Sequence, residues 1–220
     1  SLRLHAGVTS EDADSTVVRV AILADFVHKN GTVLQKDVEQ SAVSVRLASA
    51  VAAPPMNGTT PGSVRGRPGD LSLDDPYLMD GSPVKLGGPF RSMQNITAGL
   101  AERSADYRLR EGARPASGYR YLNLIMLDAL VRFGGIYQDA QKSFPIFVPE
   151  ACRLIKIYYD FTHPDEKTFT GSLRFAGSNP HLEADRLTIG PVEAKDPAGR
   201  TLVVVDGGLC RKLGEARNGK

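Results

Sequence analysis

The chain has 220 residues, of which 41% are hydrophobic and 24% are charged, and its formal net charge at pH 7 is +2. These values are typical of a globular protein with one or two cores, and the 27 scattered Lys and Arg residues make nucleic acid a poor candidate for a partner. The longest apolar run, residues 122–127, is far shorter than the roughly 20 residues of a membrane-spanning helix. No membrane association is therefore predicted.

The first residues and the two cysteines indicate whether the chain is part of a longer polypeptide and where in the cell it is located. Residues 1–15 contain neither an initiator Met nor the basic-then-apolar layout of a signal peptide, which predicts a segment excised from a longer polypeptide. Cys152 and Cys210 lie in apolar, strand-like segments of a chain large enough to fold without disulfides, and we expect both to be reduced thiols. A cytoplasmic location is predicted.

The first 85 residues are predicted to contain strands and then a linker. Residues 15–50 alternate Val, Ile and Leu with polar residues and predict three strands, two of them joined by a turn at Asn30-Gly31. Residues 51–76 are rich in Pro, Gly, Ser and Thr and lack apolar periodicity. We therefore place a boundary at residue 50 and assign residues 51–85 to a linker or long loop.

Residues 86–214 are predicted to form a helix enclosed by strands. Strands follow the loop at residues 86–92, and Ser117 can cap a helix from about Gly118 to Phe133, ended by a left-handed glycine at Gly134-Gly135. Apolar residues surround this helix, which is typical of a helix covered on most sides. Four or five further strands, with a turn at residues 196–199, precede a tail at residues 215–220. Their short connections imply an antiparallel sheet, so the pattern predicts an α+β protein of the hot-dog type.

Four segments, in this order, resemble a known family: "GGPFRSM", "YLNLIMLDALVRF", "FPIFVPEACRLIKIY" and "DPAGRTLVVVDGGLCRKL". They resemble the C-terminal half of dehydratase domains in polyketide and polyunsaturated-fatty-acid synthases. "ILADFVHKNGTVLQKDV" is similar to the closing strands of the first half, particularly in the iterative enediyne and polyunsaturated-fatty-acid types. The resemblance implies a double hot-dog, with residues 1–50 closing the first hot-dog and residues 86–214 forming the second.

The resemblance also implies an active site. In this family one hot-dog supplies a His from a His-x-x-x-Gly-x-x-x-x-Pro motif, and the other supplies an Asp from a helix reading His-Pro-x-Leu-Leu-Asp. Asp128 matches that Asp, whereas Asn123 and Leu124 replace the His-Pro pair and Arg132 replaces the usual Gln or His. None of the four histidines opens the required spacing, so the base either lies upstream or has been lost. The residues expected to line a substrate pocket are Gly88, Pro89, Phe90, Asn123 and Arg132.

The implied reaction is the removal of water from a 3-hydroxyacyl chain on the phosphopantetheine arm of an acyl carrier protein. The resemblance implies that carrier protein and the neighbouring synthase domains as partners, a homodimer by analogy, and neither a cofactor nor a metal. Two alternatives stay open. The domain could be a catalytically inactive relative with a structural or docking role, or it could use the same pocket for double-bond isomerisation or ring closure.

Asp128 also has two interpretations. A carboxyl group donates a proton at neutral pH only if its pKa is raised, and burial among Met126, Leu127, Leu130 and Val131 would raise it. Arg132, however, follows at the i,i+4 spacing that forms ion pairs on a helix, and such a pair would keep Asp128 charged and structural.

Overall fold

The structure is a computed structural model, and it describes residues 2–48, 70–84, 86–108, 124–138, 143–158 and 172–216. The chain divides into two compact units, Ser1–Ala53 and Pro54–Lys220. Within the described residues, no helix is long and apolar enough to cross a lipid bilayer.

The first unit is a three-stranded antiparallel sheet whose strands follow one another in sequence order. They are β1 (Leu2–Glu11), β2 (Ser15–Val27) and β3 (Val33–Ala48). The predicted hairpin is present, because β2 and β3 are joined at Asn30-Gly31, where Gly31 has a φ of +88°. The prediction of three strands within residues 15–50 is wrong. Two long strands, β2 and β3, fill that range, and the third strand comes from residues 2–11.

The two faces of this sheet differ in polarity. Residues directly opposite one another in an antiparallel pair share a face, and Leu4 lies opposite Ile22 while Val20 lies opposite Val43. The other face carries charged residues, joined as the ion pairs Arg3–Asp25 and Arg19–Glu39. The register is not uniform along the sheet, because the pairing of β2 with β3 shifts between Ile22 and Leu23 and twice more around Phe26.

The second unit contains a nine-stranded antiparallel sheet and one described helix. The elements in chain order are β4 (Leu71–Leu73), β5 (Met93–Ala98), β6 (Glu102–Tyr107), α1 (Leu124–Gly135), β7 (Phe144–Ile157), β8 (Leu173–Ser178), β9 (His181–Glu183), β10 (Arg186–Ile189), β11 (Val192–Lys195) and β12 (Thr201–Ala216). The spatial order is β4-β5-β6-β8-β11-β12-β10-β9, and β7 pairs with β12. Short 3-10 turns at Pro76–Leu78 and Gly88–Phe90 complete the unit. Thus β4 and the first 3-10 turn occupy part of the stretch that was assigned to the linker.

Helix α1 forms the centre of the core. Met126, Ala129, Leu130 and Phe133 are fully or almost fully buried, and the helix contacts β6, β8, β10, β11 and β12. The ring of Phe133 packs against that of Phe175, with 5.7 Å between their centroids. A helix that is apolar on most sides is stable only inside such an enclosure. An antiparallel sheet wrapped round a central helix is the hot-dog arrangement, and the predicted α+β hot-dog fold is confirmed.

The end of α1 corrects one prediction. The helix includes both Gly134 and Gly135, and neither has a positive φ, so no left-handed residue ends it there. Gly134 is instead required by close packing, because a Cβ atom at this position would lie 2.5 Å from Cγ2 of Ile189. A Cβ on Gly135 would lie 3.8 Å from Cδ1 of Ile189, an ordinary contact. The predicted cap, Ser117, lies outside the described residues.

The two adjacent glycines provide a matched test of this packing. Alanine at either position gains about 1 kcal/mol in helix propensity, but only Gly134→Ala places a methyl group against Ile189. We expect Gly134→Ala to lower the free energy of unfolding by about 1–3 kcal/mol and Gly135→Ala to leave it unchanged or raise it. Urea unfolding followed by circular dichroism measures both, and equal effects would contradict the packing argument.

Arg103 on β6 binds the carbonyl groups at the C-terminal end of α1. Its Nη1 donates to the carbonyl oxygens of Phe133 at 2.8 Å and Ile136 at 2.7 Å, and its Nε donates to Oδ1 of Asn179 at 3.3 Å. Burial lowers its pKa to about 10, which leaves it charged at neutral pH. A cation is favourable at this end of a helix, where the carbonyls lack intrahelical partners. Arg103 therefore fastens the helix to the sheet.

Replacing Arg103 by methionine keeps much of its apolar volume but removes its donors. Because the buried carbonyls of Phe133 and Ile136 would lose their partner, we expect Arg103→Met to lower the free energy of unfolding by about 2–4 kcal/mol. Arg186→Met, at an exposed arginine on β10, is the control and should change it by less than about 0.5 kcal/mol. Similar losses in the two variants would show that the cap contributes little.

Candidate active site

Arg132, in the last turn of α1, lies at the centre of a buried polar cluster. Its side chain is 6% exposed, and Nε donates to Oδ2 of Asp128 at 2.8 Å. Nη1 forms an ion pair with Asp75, and Nη2 donates to the carbonyl oxygen of Phe90 at 2.9 Å. Each of its three nitrogens thus has an acceptor from a different segment, and the guanidinium is fixed in place.

Asp75 is the buried acid of this cluster. It precedes Pro76, and the extended backbone that a following proline favours is present, with φ −79° and ψ 104°. Oδ1 accepts the backbone N–H of Tyr77 at 3.1 Å and caps the first 3-10 turn. Burial raises the pKa of Asp75 while the charge of Arg132 opposes that rise. A carboxyl group buried in this way requires the cation beside it.

Tyr77 anchors the turn that carries Asp75. Its hydroxyl donates to the carbonyl oxygen of Phe147 at 2.6 Å and accepts the N–H of Phe147 at 3.2 Å. Burial raises the pKa of Tyr77, so the hydroxyl stays neutral and continues to donate. Asp75 is therefore positioned by its own turn and, through Tyr77, by β7.

Asp128 occupies a different environment from the one expected. Its side chain is 38% exposed, so the interpretation in which its helix neighbours bury it is not supported. Met126 and Leu130 point into the core instead, where each is at most 1% exposed. Oδ2 of Asp128 accepts from Arg132, while Oδ1 has no hydrogen-bond partner among the described residues. The ion pair with Arg132, one of the two interpretations of Asp128, is present.

The other predicted site residues are only partly brought together. Phe90 joins the cluster through its carbonyl oxygen, and Gly88, with a φ of +55°, begins the 3-10 turn that places this oxygen. Pro89 lies in the same turn. Asn123 lies outside the described residues. A role for Gly88, Pro89, Phe90 and Asn123 in a substrate pocket stays a prediction.

An open cleft of about 340 Å³ lies beside Asp75. Its volume falls in the range of small-molecule pockets. Asp128 does not line this cleft and is connected to it through Arg132 and Asp75. The residues that line it are Leu73, Asp74, Asp75, Leu78, Met79, Met93, Gln94, Asn95 and Ile96.

No histidine of the described second unit joins the cluster. His181 is exposed on β9, while His5 and His28 belong to the first unit. His163 lies outside the described residues. A general base is therefore not assigned to a residue of this chain.

Sequence reasoning missed Asp75 and Tyr77. An Asp directly before a Pro is a signal for the start of a helical turn, and "LDDPYL" contains it. That signal does not indicate that the carboxyl group is buried or that it meets Arg132, which lies 57 residues further on. This contact is created by the tertiary fold.

Comparisons with known proteins reveal a shared fold. No protein-family model and no curated protein sequence matches the chain. Among solved structures, a bifunctional dehydratase-cyclase domain in ambruticin biosynthesis matches with a TM-score of 0.61 and 17% identity, covering 96% of this chain and 69% of that one. The dehydratase domain of PpsC from Mycobacterium tuberculosis, in complex with C12:1-CoA, matches with a TM-score of 0.60 and 21% identity, covering 96% and 68%.

A third match is an inactive mutant of the CurJ dehydratase in which a histidine is replaced by phenylalanine. Its TM-score is 0.59 at 13% identity, covering 94% of this chain and 67% of that one. Together these matches show that the chain has the hot-dog fold of polyketide synthase dehydratase domains. It spans about two thirds of the length of the domains it matches.

The ion pairs of Arg132 can be tested by removing its charge. Arg132→Gln would leave Asp75 buried without a cation, and we expect the free energy of unfolding at pH 7 to fall by about 3–5 kcal/mol. The control is Arg91→Gln, at an exposed arginine just after the second 3-10 turn, which should change stability by less than about 0.5 kcal/mol. Denaturant unfolding at pH 7 measures both, and a loss below about 1 kcal/mol for Arg132→Gln would contradict the buried pairing.

Proposed function

We propose that this chain belongs to a dehydratase that removes water from 3-hydroxyacyl chains carried on the phosphopantetheine arm of an acyl carrier protein. The observation that carries the proposal is the carboxyl group of Asp128. It lies on the central helix of the dehydratase-type fold, partly exposed, with Oδ2 held by Arg132 and with no partner for Oδ1 among the residues that the structure describes. A carboxyl group that is fixed and still reachable is suited to proton transfer.

The proposed reaction is an elimination. A base removes the proton on the carbon next to the thioester carbonyl, the C–O bond to the 3-hydroxyl breaks, and a carbon–carbon double bond forms. Asp128 donates its proton to the departing hydroxyl, which leaves as water. The expected base is the His of a His-x-x-x-Gly-x-x-x-x-Pro motif. Reading the native polypeptide ahead of Ser1 would reveal whether that motif is encoded.

The substrate class is supported by a structural relative. The PpsC dehydratase domain was solved with C12:1-CoA, an unsaturated acyl thioester. An acyl thioester is also the substrate class that the resemblance implies for this chain. The proposed partners are an acyl carrier protein and neighbouring domains of a multidomain synthase, and the proposed setting is the cytoplasm.

A second candidate function is a non-catalytic dehydratase-like domain with a structural or docking role. The observation that favours it is the ion pair between Arg132 and Asp128, which stabilises the carboxylate over the acid. Such a domain would bind carrier protein without removing water from its acyl chain. Carrier-protein binding without turnover therefore distinguishes the two candidates.

The experiment uses the longest natural polypeptide that carries this sequence, incubated with a 3-hydroxyacyl carrier protein. Mass spectrometry should detect loss of one water from the acyl chain, and Asp128→Asn should slow this loss by about 10²–10⁴-fold because the amide cannot donate the proton. Asp80→Asn, at an exposed aspartate outside the cluster, should match wild type. No turnover by wild type, or equal turnover by Asp128→Asn, would refute the assignment.

A further inference from the structure

Helix α1 has one side that the sheet leaves partly uncovered. Among the α1 side chains that the structure describes, the half-buried ones are Ile125, Leu127, Asp128 and Val131. At about 100° per residue, all four lie within one half of the helix circumference. A helix normally carries polar and charged residues on the side that faces away from the core, but three of these four residues are apolar. The composition of this side therefore suits contact with an apolar partner.

Asp128 has a different neighbour on each flank. Residues three or four apart lie next to each other on a helix, with about 5–6 Å between their Cβ atoms. Arg132 is on one flank, where it is buried, and its nitrogens are already engaged by Asp128 and by the carbonyl oxygen of Phe90. Val131 is on the other flank, and both it and Leu127 pack against the core. The flank formed by Leu127 and Val131 is therefore apolar and half-buried.

The proposed role of Asp128 limits where a substrate can lie. To accept the proton, the 3-hydroxyl oxygen must come within about 3 Å of the carboxyl group. The carbon that bears this hydroxyl and the carbons bonded to it are then within reach of the i+3 neighbour, Val131. On the other flank the guanidinium of Arg132 is polar and engaged, so the hydrocarbon part of the chain is better accommodated by Val131. The base must reach the proton on carbon 2, which leaves carbon 4 as the atom that faces Val131.

We propose that Val131 is a specificity-determining residue of this site, whose side chain contacts carbon 4 of the acyl chain and leaves little room for a branch there. Leu127 extends the same apolar surface. The inference rests on the proposed function, because it takes Asp128 as the proton donor. Valine suits this role because its two Cβ substituents restrict χ1, so the surface that it presents yields little to a bulkier chain. Unbranched 3-hydroxyacyl chains are therefore the favoured class.

Val131→Ala tests the inference, because it opens space beside Asp128 at no cost in helix propensity. In the longest natural polypeptide, kcat/KM is measured for two carrier-bound chains of equal carbon number, 3-hydroxyhexanoyl and 3-hydroxy-4-methylpentanoyl. We expect wild type to prefer the unbranched chain and Val131→Ala to reduce this preference by about tenfold, the effect of one methyl group in a pocket. Val204→Ala, at a half-buried valine on β12, is the control and should leave the preference unchanged.

The preference is a ratio of two rates on the same enzyme, so it does not depend on how much of a variant is folded. Val131→Phe should act in the opposite direction and increase the preference for the unbranched chain. A purely structural role for Val131 would instead change kcat/KM for both chains by the same factor. An unchanged preference in Val131→Ala, with wild-type dehydration intact, would overturn the inference and leave the proposed function standing.

Binding without turnover covers the case in which the proposed function fails. The probes are trans-2-hexenoyl-CoA and trans-4-methyl-2-pentenoyl-CoA, which have no 3-hydroxyl to lose, and the Asp128→Asn background prevents the reverse addition of water. Isothermal titration calorimetry should show that adding Val131→Ala reduces the ratio of their two dissociation constants by about tenfold. If wild type removes no water but this change occurs, the proposed function fails while the contact of Val131 with the acyl chain stands. An unchanged ratio would overturn the contact.

Discussion

The burial of α1 inside the sheet is the constraint on which the rest of the second unit depends. A helix enclosed on most sides cannot leave its polar groups to water, so each must find a partner in the protein. Two buried arginines meet this requirement at the C-terminal half of the helix. Arg103 reaches from β6 to the final carbonyls, and Arg132 extends from the helix to Asp75 and Phe90. The helix is therefore held in the sheet both by its apolar packing and by the hydrogen bonds and ion pairs of these two arginines.

The two arginines differ in what they attach. Arg103 binds neutral carbonyl groups, so its charge complements the helix dipole. Arg132 binds two carboxyl groups, one buried and one partly exposed. The same residue type thus binds carbonyl groups at one place and carboxyl groups at the other. This difference follows from the partners that the fold brings to each guanidinium.

Much of the fold was predictable because it depends on local patterns. The Asn30-Gly31 hairpin and the turn at residues 196–199 each have a short-range signal, and each is present. The role of Gly134 was not predictable in this way. Its lack of a side chain is required by Ile189, a contact that exists only once β10 packs on the helix.

The candidate site was predictable to a smaller extent, for the same reason. The i,i+4 spacing of Asp128 and Arg132 indicated their ion pair as one of two interpretations, and the pair is present because that contact lies within one helix. Considered alone, the pair argues against proton donation, since a neighbouring cation favours the carboxylate. Asp75 is the part of the site that no local spacing indicates. Its carboxyl group is brought to the other side of Arg132 by the Pro76–Leu78 turn and by the anchoring of Tyr77 to β7. The site therefore combines an ion pair set within one helix with a buried ion pair that only the tertiary fold creates.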